Sequence, residues 1–257
     1  MEYNIESNME NKNRTIILKS SGQTMNQLIE EYKKTCHHSI TKICYAGRLD
    51  PMARGEVLLL FNDECKKVDK YNMMKKTYEF KIILGLQTNS DDPLGILENI
   101  TNISSLDTLI NLKIKINNNI NIGEFRQKFH IYSSKCVNGL PMWHYAKNKI
   151  NIMDSDIPSH LVTIYNYKIG SLEQYDYLSW KETIIKQIKS IDMKCDFNQE
   201  NIINQWNQMD KFDKLYAIKV TLDVSSGFYV RQFVRDLSDL IEIPLLTYDI
   251  NRIRLYQ

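Results

Sequence analysis

Alternating runs and helical stripes of apolar residues predict most of the secondary structure of this chain. Over 215–224, Tyr216, Ile218, Val220, Leu222 and Val224 share one strand face. Over 78–84, Tyr78, Phe80, Ile82 and Leu84 point one way while Glu79 and Lys81 point the other, which predicts a half-buried strand. The continuous apolar run at 57–61, the β-branched and aromatic run at 162–169, and a short buried run at 15–19 read as further strands. Met25, Leu28, Ile29 and Tyr32 fall at helical spacing after Ser20-Ser21-Gly22. Val230, Phe233, Val234, Leu237, Leu240 and Ile241 form a second stripe after Ser225-Ser226-Gly227. A helix is also predicted at 122–129, and Trp180, Ile184, Ile188 and Ile191 predict one within 171–213. The polar start, 1–13, is expected to be a disordered tail. There is no internal repeat and no regular βαβ alternation. The expected class is therefore α+β, with a mixed, largely antiparallel central sheet flanked by helices.

Composition changes this picture little. The chain has 257 residues, 43% hydrophobic and 25% charged, enough for one sizeable core. A net charge of +2 does not announce a nucleic-acid binder, so an anionic partner must be met by a local patch. Lys66, Lys67, Lys70, Lys75 and Lys76 offer one, although a lysine cluster is more often a solvated face. The five cysteines, at 36, 44, 65, 136 and 195, are odd in number and form no Cys-x-x-Cys. That points to reduced thiols rather than a disulfide framework or zinc knuckle. With no apolar run of membrane-spanning length and no signal peptide, the expectation is an intracellular, cytoplasmic protein, the nucleus or an organelle remaining alternatives. The many asparagines and isoleucines, as in Asn117-Asn118-Asn119, read as a coding bias.

The most informative local feature is Tyr-Ala-Gly-Arg-Leu-Asp-Pro at 45–51. Gly47 permits a positive φ or close backbone approach, and Pro51 fixes the exit direction, so Asp50 sits on a backbone corner facing outward. Asp-Pro also begins ordinary turns. Tyr78 opens a strand downstream, and Arg231 lies in the first turn of the last long helix. An arginine bordering an apolar stripe needs a carboxylate. Asp50 is one partner that would keep the pair ionised and oriented; Asp236 and Asp239 are local alternatives, and solvation is a third.

Taken in order, these segments resemble the TruB-type RNA pseudouridine synthases over most of the chain. Gly47-Arg48-Leu49-Asp50-Pro51-Met52-Ala53-Arg54-Gly55 is similar to the family's aspartate loop, Gly-x-Leu-Asp-Pro-x-Ala-x-Gly. Lys76-Thr77-Tyr78 matches its Lys-x-Tyr, and Leu84-Gly85 with Thr88, Asp92 and Gly95 its acidic turn. Tyr132-Ser133-Ser134, Val137-Asn138-Gly139 and Tyr145-Ala146-Lys147 resemble a further segment, and 162–165 its Val-Thr-Ile-Tyr strand. Gly227-Phe228-Tyr229-Val230-Arg231 resembles its Gly-Thr-Tyr-Ile-Arg, while Lys19, Gly22 and Thr24 fit its opening.

The resemblance implies a pseudouridine synthase fold over 14–257 and isomerisation of a flipped-out uridine, at the T-loop of tRNA (position 55). Asp50 would be the catalytic aspartate, Tyr78 would stack on the base and Arg231 would pair with Asp50. RNA contacts would come from Lys19, Tyr45, Gly47, Arg48, Arg54, Lys76, Ile250 and Arg252. The chemistry suits these residues. Glycosidic cleavage needs a placed carboxylate ionised near neutral pH, a flat aromatic face and an enclosed pocket that a base reaches by flipping. No cofactor and no metal are expected, and the protein is expected to be a monomer. Several positions depart from the family pattern. Tyr45 replaces the loop histidine, Cys136 stands where a lysine is expected, Asn89 replaces an aspartate and serine replaces the opening proline. Residues 171–213 have no counterpart and read as a helical insertion. No C-terminal PUA domain is expected. Two rivals remain: a non-catalytic RNA-binding or RNA-folding protein on the same fold, and a synthase acting on another RNA such as mRNA. A metal-dependent hydrolase using Asp91, Asp92 and Glu98 is a weaker third.

Overall fold

The computed structural model describes residues 13–36, 40–209 and 212–256. The expected tail, 1–13, lies outside these residues except for Asn13.

In chain order the regular elements are β1 (Arg14–Lys19), α1 (Met25–Thr35), β2 (Ile43–Ala46), β3 (Arg54–Phe61), α2 (Val68–Asn72), β4 (Lys76–Leu84), β5 (Leu86–Thr88), β6 (Leu97–Ile100) and α3 (Leu106–Asn118). There follow β7 (Gly123–Lys128), β8 (Cys136–Val137), β9 (Leu140–Pro141), α4 (Met142–Lys147), β10 (Ser159–Asp176), α5 (Tyr177–Ser190), α6 (Gln199–Gln208), β11 (Lys214–Val224), α7 (Val230–Ile241) and β12 (Leu245–Leu255). The main sheet runs β1-β3-β12-β4-β11-β10-β7, with β2 beside β3. Among the described residues its one parallel pairing is β12 with β3. This is the mixed, largely antiparallel sheet expected.

Strand alternation divides the interior into two cores. On β4, Tyr78, Phe80, Ile82 and Leu84 face a core shared with Met25 and Leu28 of α1, Leu109, Leu112 and Ile116 of α3, and Phe233, Val234 and Leu237 of α7. The intervening Ile83 faces the opposite side, where Ala217 and Leu246 meet Tyr177, Trp180, Ile184 and Ile188 of α5 and Ile202 and Trp206 of α6. A buried side chain of this size contributes about 1.5–3 kcal/mol, so each helical layer is held chiefly by its apolar face. Gly55 lets β3 pass tightly against β12: its φ is +115°, and a Cβ there would lie 2.3 Å from the Arg252 carbonyl oxygen.

Several expectations need correction. The helix predicted at 122–129 is strand β7. Its apolar residues misled, because the deciding pattern is period two: buried Gln127 and half-buried Phe125 alternate with exposed Glu124 and Arg126 against β10. Helix α3 was not foreseen. The strand read at 162–169 extends to Asp176, so the region 171–213 begins as strand and becomes helical only at α5. On β1, Ile16 is 38% and Leu18 73% exposed, so that strand is only half-buried. The Asp50 loop follows strand β2.

Candidate active site

The loop between β2 and β3 carries Asp50, anchored on both sides by buried Leu49, Met52 and Ala53. The Ala53 amide donates to the Asp50 carbonyl at 3.0 Å. Behind the loop, the Lys19 amine donates to three carbonyls, those of Ser20 (3.0 Å), Pro51 (3.1 Å) and Ala53 (2.5 Å). Three acceptors match the three donors of an ammonium. Burial pulls the Lys19 pKa down to about 7, with Asp50 opposing that fall and Arg252 adding to it.

Arg252 is fully buried and donates to the carbonyls of Glu56 (2.7 Å) and Gly47 (2.9 Å). Lys76, also buried, donates to the carbonyls of Asn72 (3.0 Å) and Met74 (2.7 Å), and burial followed by Arg252 lowers its pKa to about 8. Ile250 belongs to the main core. Lys19, Lys76, Ile250 and Arg252, expected to face RNA, are instead buried: backbone carbonyls take the two lysine amines and Arg252 Nε and Nη2, Arg252 Nη1 has no partner among the described residues, and Ile250 is apolar core. Arg48 is exposed beside Asp50, and Arg54, 40% exposed, pairs with Asp249 at 2.8 Å. Tyr45 is half-buried against the core, and half-buried Gly47 has a φ of +71°. In the lysine patch, Lys66 and Lys67 pair with Asp63 and Glu64, and Lys75 sits over the Tyr165 ring.

Arg231, 7% exposed, lies in the first turn of α7. Its Nε donates to Asp50 Oδ2 at 2.8 Å, so Asp50 rather than Asp236 or Asp239 is its carboxylate. Its Nη1 donates to the Ser90 carbonyl at 2.9 Å and lies 3.7 Å from Asp92 Oδ2. The guanidinium fork is thus divided between the Asp50 loop and the acidic turn after β5. The Asp50 side chain is 37% exposed, among crowded neighbours. Crowding opposes its ionisation and is the largest influence, but the cations beside it, Arg231 above all, outweigh it and hold the carboxyl below the usual range. Tyr78, 7% exposed on β4, shares its core cluster with Leu49, next to Asp50, and Val230, next to Arg231.

The acidic turn adds a second charged layer. Asp91, with φ +58°, pairs with Arg235 at 2.8 Å and with His130 at 3.0 Å. His130 Nδ1 accepts from the Tyr132 amide at 3.1 Å, so its proton lies on Nε2 and is directed at Asp91. Burial and then Arg231 push the His130 pKa well below its ordinary value, so the ring is neutral. Arg235 also approaches Glu98 at 3.6 Å. Asp91, Asp92 and Glu98, the trio considered for a metal, are thus each drawn into arginine pairs. Gln127 on β7 clamps the start of α7, donating to the Tyr229 carbonyl (3.0 Å) and accepting from its amide (2.9 Å).

This arrangement can hold one ionised, partly exposed carboxylate rigidly beside an aromatic strand position. Comparison with known proteins says in which family it does so. Residues 33–186, more than half of the chain, match the model of the TruB family pseudouridylate synthase (N terminal domain). The chain belongs to the TruB family. It is 29% identical over 228 residues to the tRNA pseudouridine synthase B of Ureaplasma urealyticum serovar 10, covering 89% of this chain and 79% of that one. It is 33% identical over 166 residues to that of Mycoplasma mycoides subsp. mycoides SC, covering 63% and 53%. The fold is similar to a chain in the structure of an H/ACA RNP bound to a substrate RNA containing 2'-deoxyuridine. There the TM-score is 0.51 at 12% identity, over 95% of this chain and 47% of that one.

In this TruB chain several site residues escaped the sequence reading. Asp92 was noted as a turn residue, yet it lies beside Arg231. Arg235 was detectable, because it follows Arg231 by one helical turn and faces the same side. Gln127 carried no signal because its segment reads as a helix, and His130, just past that segment, matched no motif.

The two turn carboxylates give a pH prediction. Burial raises Asp91 and Asp92 to about 6, against the arginines that lower them. As pH rises from about 4 to about 6, the unfolded chain releases these protons while the folded protein keeps them, so stability falls across that window. For Asp92 the loss is on the order of 2–3 kcal/mol. Denaturant unfolding at pH 4.5 and 7 should therefore show a shallower decline for Asp92→Asn than for wild type; equal slopes would contradict the assignment.

Proposed function

We propose that this chain isomerises uridine to pseudouridine in tRNA, at position 55 of the T-loop, with Asp50, Tyr78 and Arg231 as its chemical centre. The observation that carries this reading is the Asp50–Arg231 pair at 2.8 Å, which keeps an ionised carboxylate partly open to solvent at the edge of the main core. The names of the bacterial relatives, tRNA pseudouridine synthase B, support tRNA as substrate.

In this reading the target base flips out of the RNA and enters the site. Asp50 acts on the nucleotide as the glycosidic C–N bond breaks. The detached uracil rotates against the flat face of Tyr78 and rejoins C1′ through C5. The proton leaves C5 and the ring nitrogen regains one, so atoms and electrons balance without an oxidant or reductant. Arg231 keeps Asp50 charged and limits its rotamers. Exposed Arg48 and Arg54, with Tyr45 and Gly47 at the rim, are the RNA-facing groups, the arginines meeting backbone phosphates. A single chain in the cytoplasm is the working unit, since one chain carries the whole centre. Residues 14–257 form the catalytic domain, interrupted by the insertion at about 171–213.

Incubation with unmodified tRNA transcript, a T-arm stem-loop and an unrelated mRNA, followed by carbodiimide mapping of pseudouridine, tests this reading. One new pseudouridine in the T-loop is expected. Modification of the mRNA alone would move the substrate, and none in any RNA would favour a binding protein.

A further inference from the structure

Between β10 and β11 the chain does not turn back directly but builds α5 and α6, which pack on the sheet face opposite the main core. Two of their side chains bond the turn that carries Asp92, and a third bonds Gly22, which in turn bonds the loop that carries Asp50. The indole N–H of Trp206, a fully buried residue of α6, donates to the Pro93 carbonyl at 3.0 Å, next to Asp92. One residue earlier, Gln205 Oε1 accepts from the Leu97 amide at 3.1 Å, at the far end of the same turn. At the end of α5, the single Ser190 hydroxyl proton is shared between the Gln187 carbonyl at 2.7 Å and the Gly22 carbonyl at 3.1 Å. The Gly22 amide in turn donates to the Pro51 carbonyl at 2.9 Å, next to Asp50. Gly22 is pressed on α5 so closely that a Cβ would lie 2.2 Å from Ser190 Oγ and 2.6 Å from the Gln187 carbonyl oxygen. Met52 of the aspartate loop and Leu94 of the acidic turn both join the insertion's apolar core.

We propose that the insertion is a brace that sets the Asp50 loop and the Asp92 turn at a fixed separation, with Trp206 as a positioning residue acting through Asp92. Arg231 bridges those two loops from the α7 side, with Nε on Asp50 and Nη1 toward Asp92 and Ser90. A bridging fork works only if its two acceptors keep their spacing, and a displacement of about 1 Å at such a centre can cost a hundredfold in rate. The chain therefore fixes the spacing twice, by the guanidinium in front and by α5–α6 behind. Among the described residues no second donor reaches the Pro93 carbonyl, so removing the indole N–H would leave it orphaned and pull the turn toward water.

This inference rests on the isomerase reading for its kinetic test but has a structural one as well. Trp206→Phe keeps an aromatic volume and removes only the donor. With T-arm RNA, kcat should fall about tenfold or more with KM within about twofold. In an Asp92→Asn background the same change should add less than about twofold, because the brace acts through Asp92. Hydrogen exchange, which needs no substrate, should show faster exchange at the amides of Leu94, Ile96, Ala53 and Gly22, with α7 unchanged. Unaltered exchange at those amides would overturn the brace whether or not the wild type turns over. So would a full tenfold loss in the Asp92→Asn background. If wild type releases no product while exchange responds as expected, the isomerase reading fails and the brace stands. Should Trp206→Phe not fold, Ser190→Ala tests the same brace through Gly22 and Ala53.

Discussion

Replacing Asp50 with asparagine should leave a folded protein that binds RNA and isomerises it at least about a thousandfold more slowly. The substitution keeps the size of the side chain and its ability to accept from Arg231 Nε, now 2.8 Å from Oδ2. It removes the negative charge, which is what the chemistry uses. Arg231 would remain anchored by the Ser90 carbonyl and by Asp92, so its buried charge is not stranded. The expected stability change is correspondingly modest, about 1–3 kcal/mol, from weakening one charge-assisted hydrogen bond. A gel-shift measurement alongside single-turnover kinetics separates the two effects. Loss of RNA affinity in proportion to the loss of rate would show that Asp50 is a binding residue.

The second large effect belongs to Arg231→Lys, which should lower kcat about a hundredfold while RNA affinity holds. Charge is conserved in this change, so a purely electrostatic role would predict little loss. The geometry argues otherwise. Arg231 does not grip Asp50 with both arms; it gives Nε to Asp50 and Nη1 to the acidic turn. A single ammonium nitrogen cannot span those acceptors from the same backbone position. It must choose one loop and leave the other without its cation. The lysine protein should also lose a few degrees of thermal stability, because a buried group 7% exposed is exchanged for one that solvates differently. Wild-type turnover in the lysine variant would remove the ion pair from the account.

The sequence made the chemical centre legible because its residues lie in segments with strong local signals. Asp50 is held between a glycine that needs φ +71° and a proline, and Arg231 follows the Ser-Ser-Gly break at the head of a strongly amphipathic helix. Each can be seen without knowing what it touches. The supporting groups are different. Gln127 and His130 sit on or beside a strand whose alternation is carried by a buried glutamine, and an apolar count reads that stretch as helix. Lys19, Lys76 and Arg252 look like an RNA-facing basic set in one dimension. In three dimensions they converge behind the aspartate loop, where backbone carbonyls take their donors. Charge at a loop predicts a solvent-facing role only when no buried acceptors compete for it. The segment 171–213 likewise announced its helix through Trp180, Ile184 and Ile188 but not its address. That depends on the opposite face of β4 and β11 being apolar, which single residues such as Ile83 and Ala217 decide.

The measurement that tests the central claim most directly is tritium release from C5-labelled uridine in a T-arm stem-loop RNA, with wild type and Asp50→Asn run side by side. Isomerisation through C5 must expel that hydrogen, so its appearance in water reports the bond exchange itself. The account predicts stoichiometric release by wild type and release slower by at least about a thousandfold for the variant. Equal release by both proteins would contradict the role given to Asp50. Release by neither, on this RNA and on total cellular RNA alike, would contradict the isomerase.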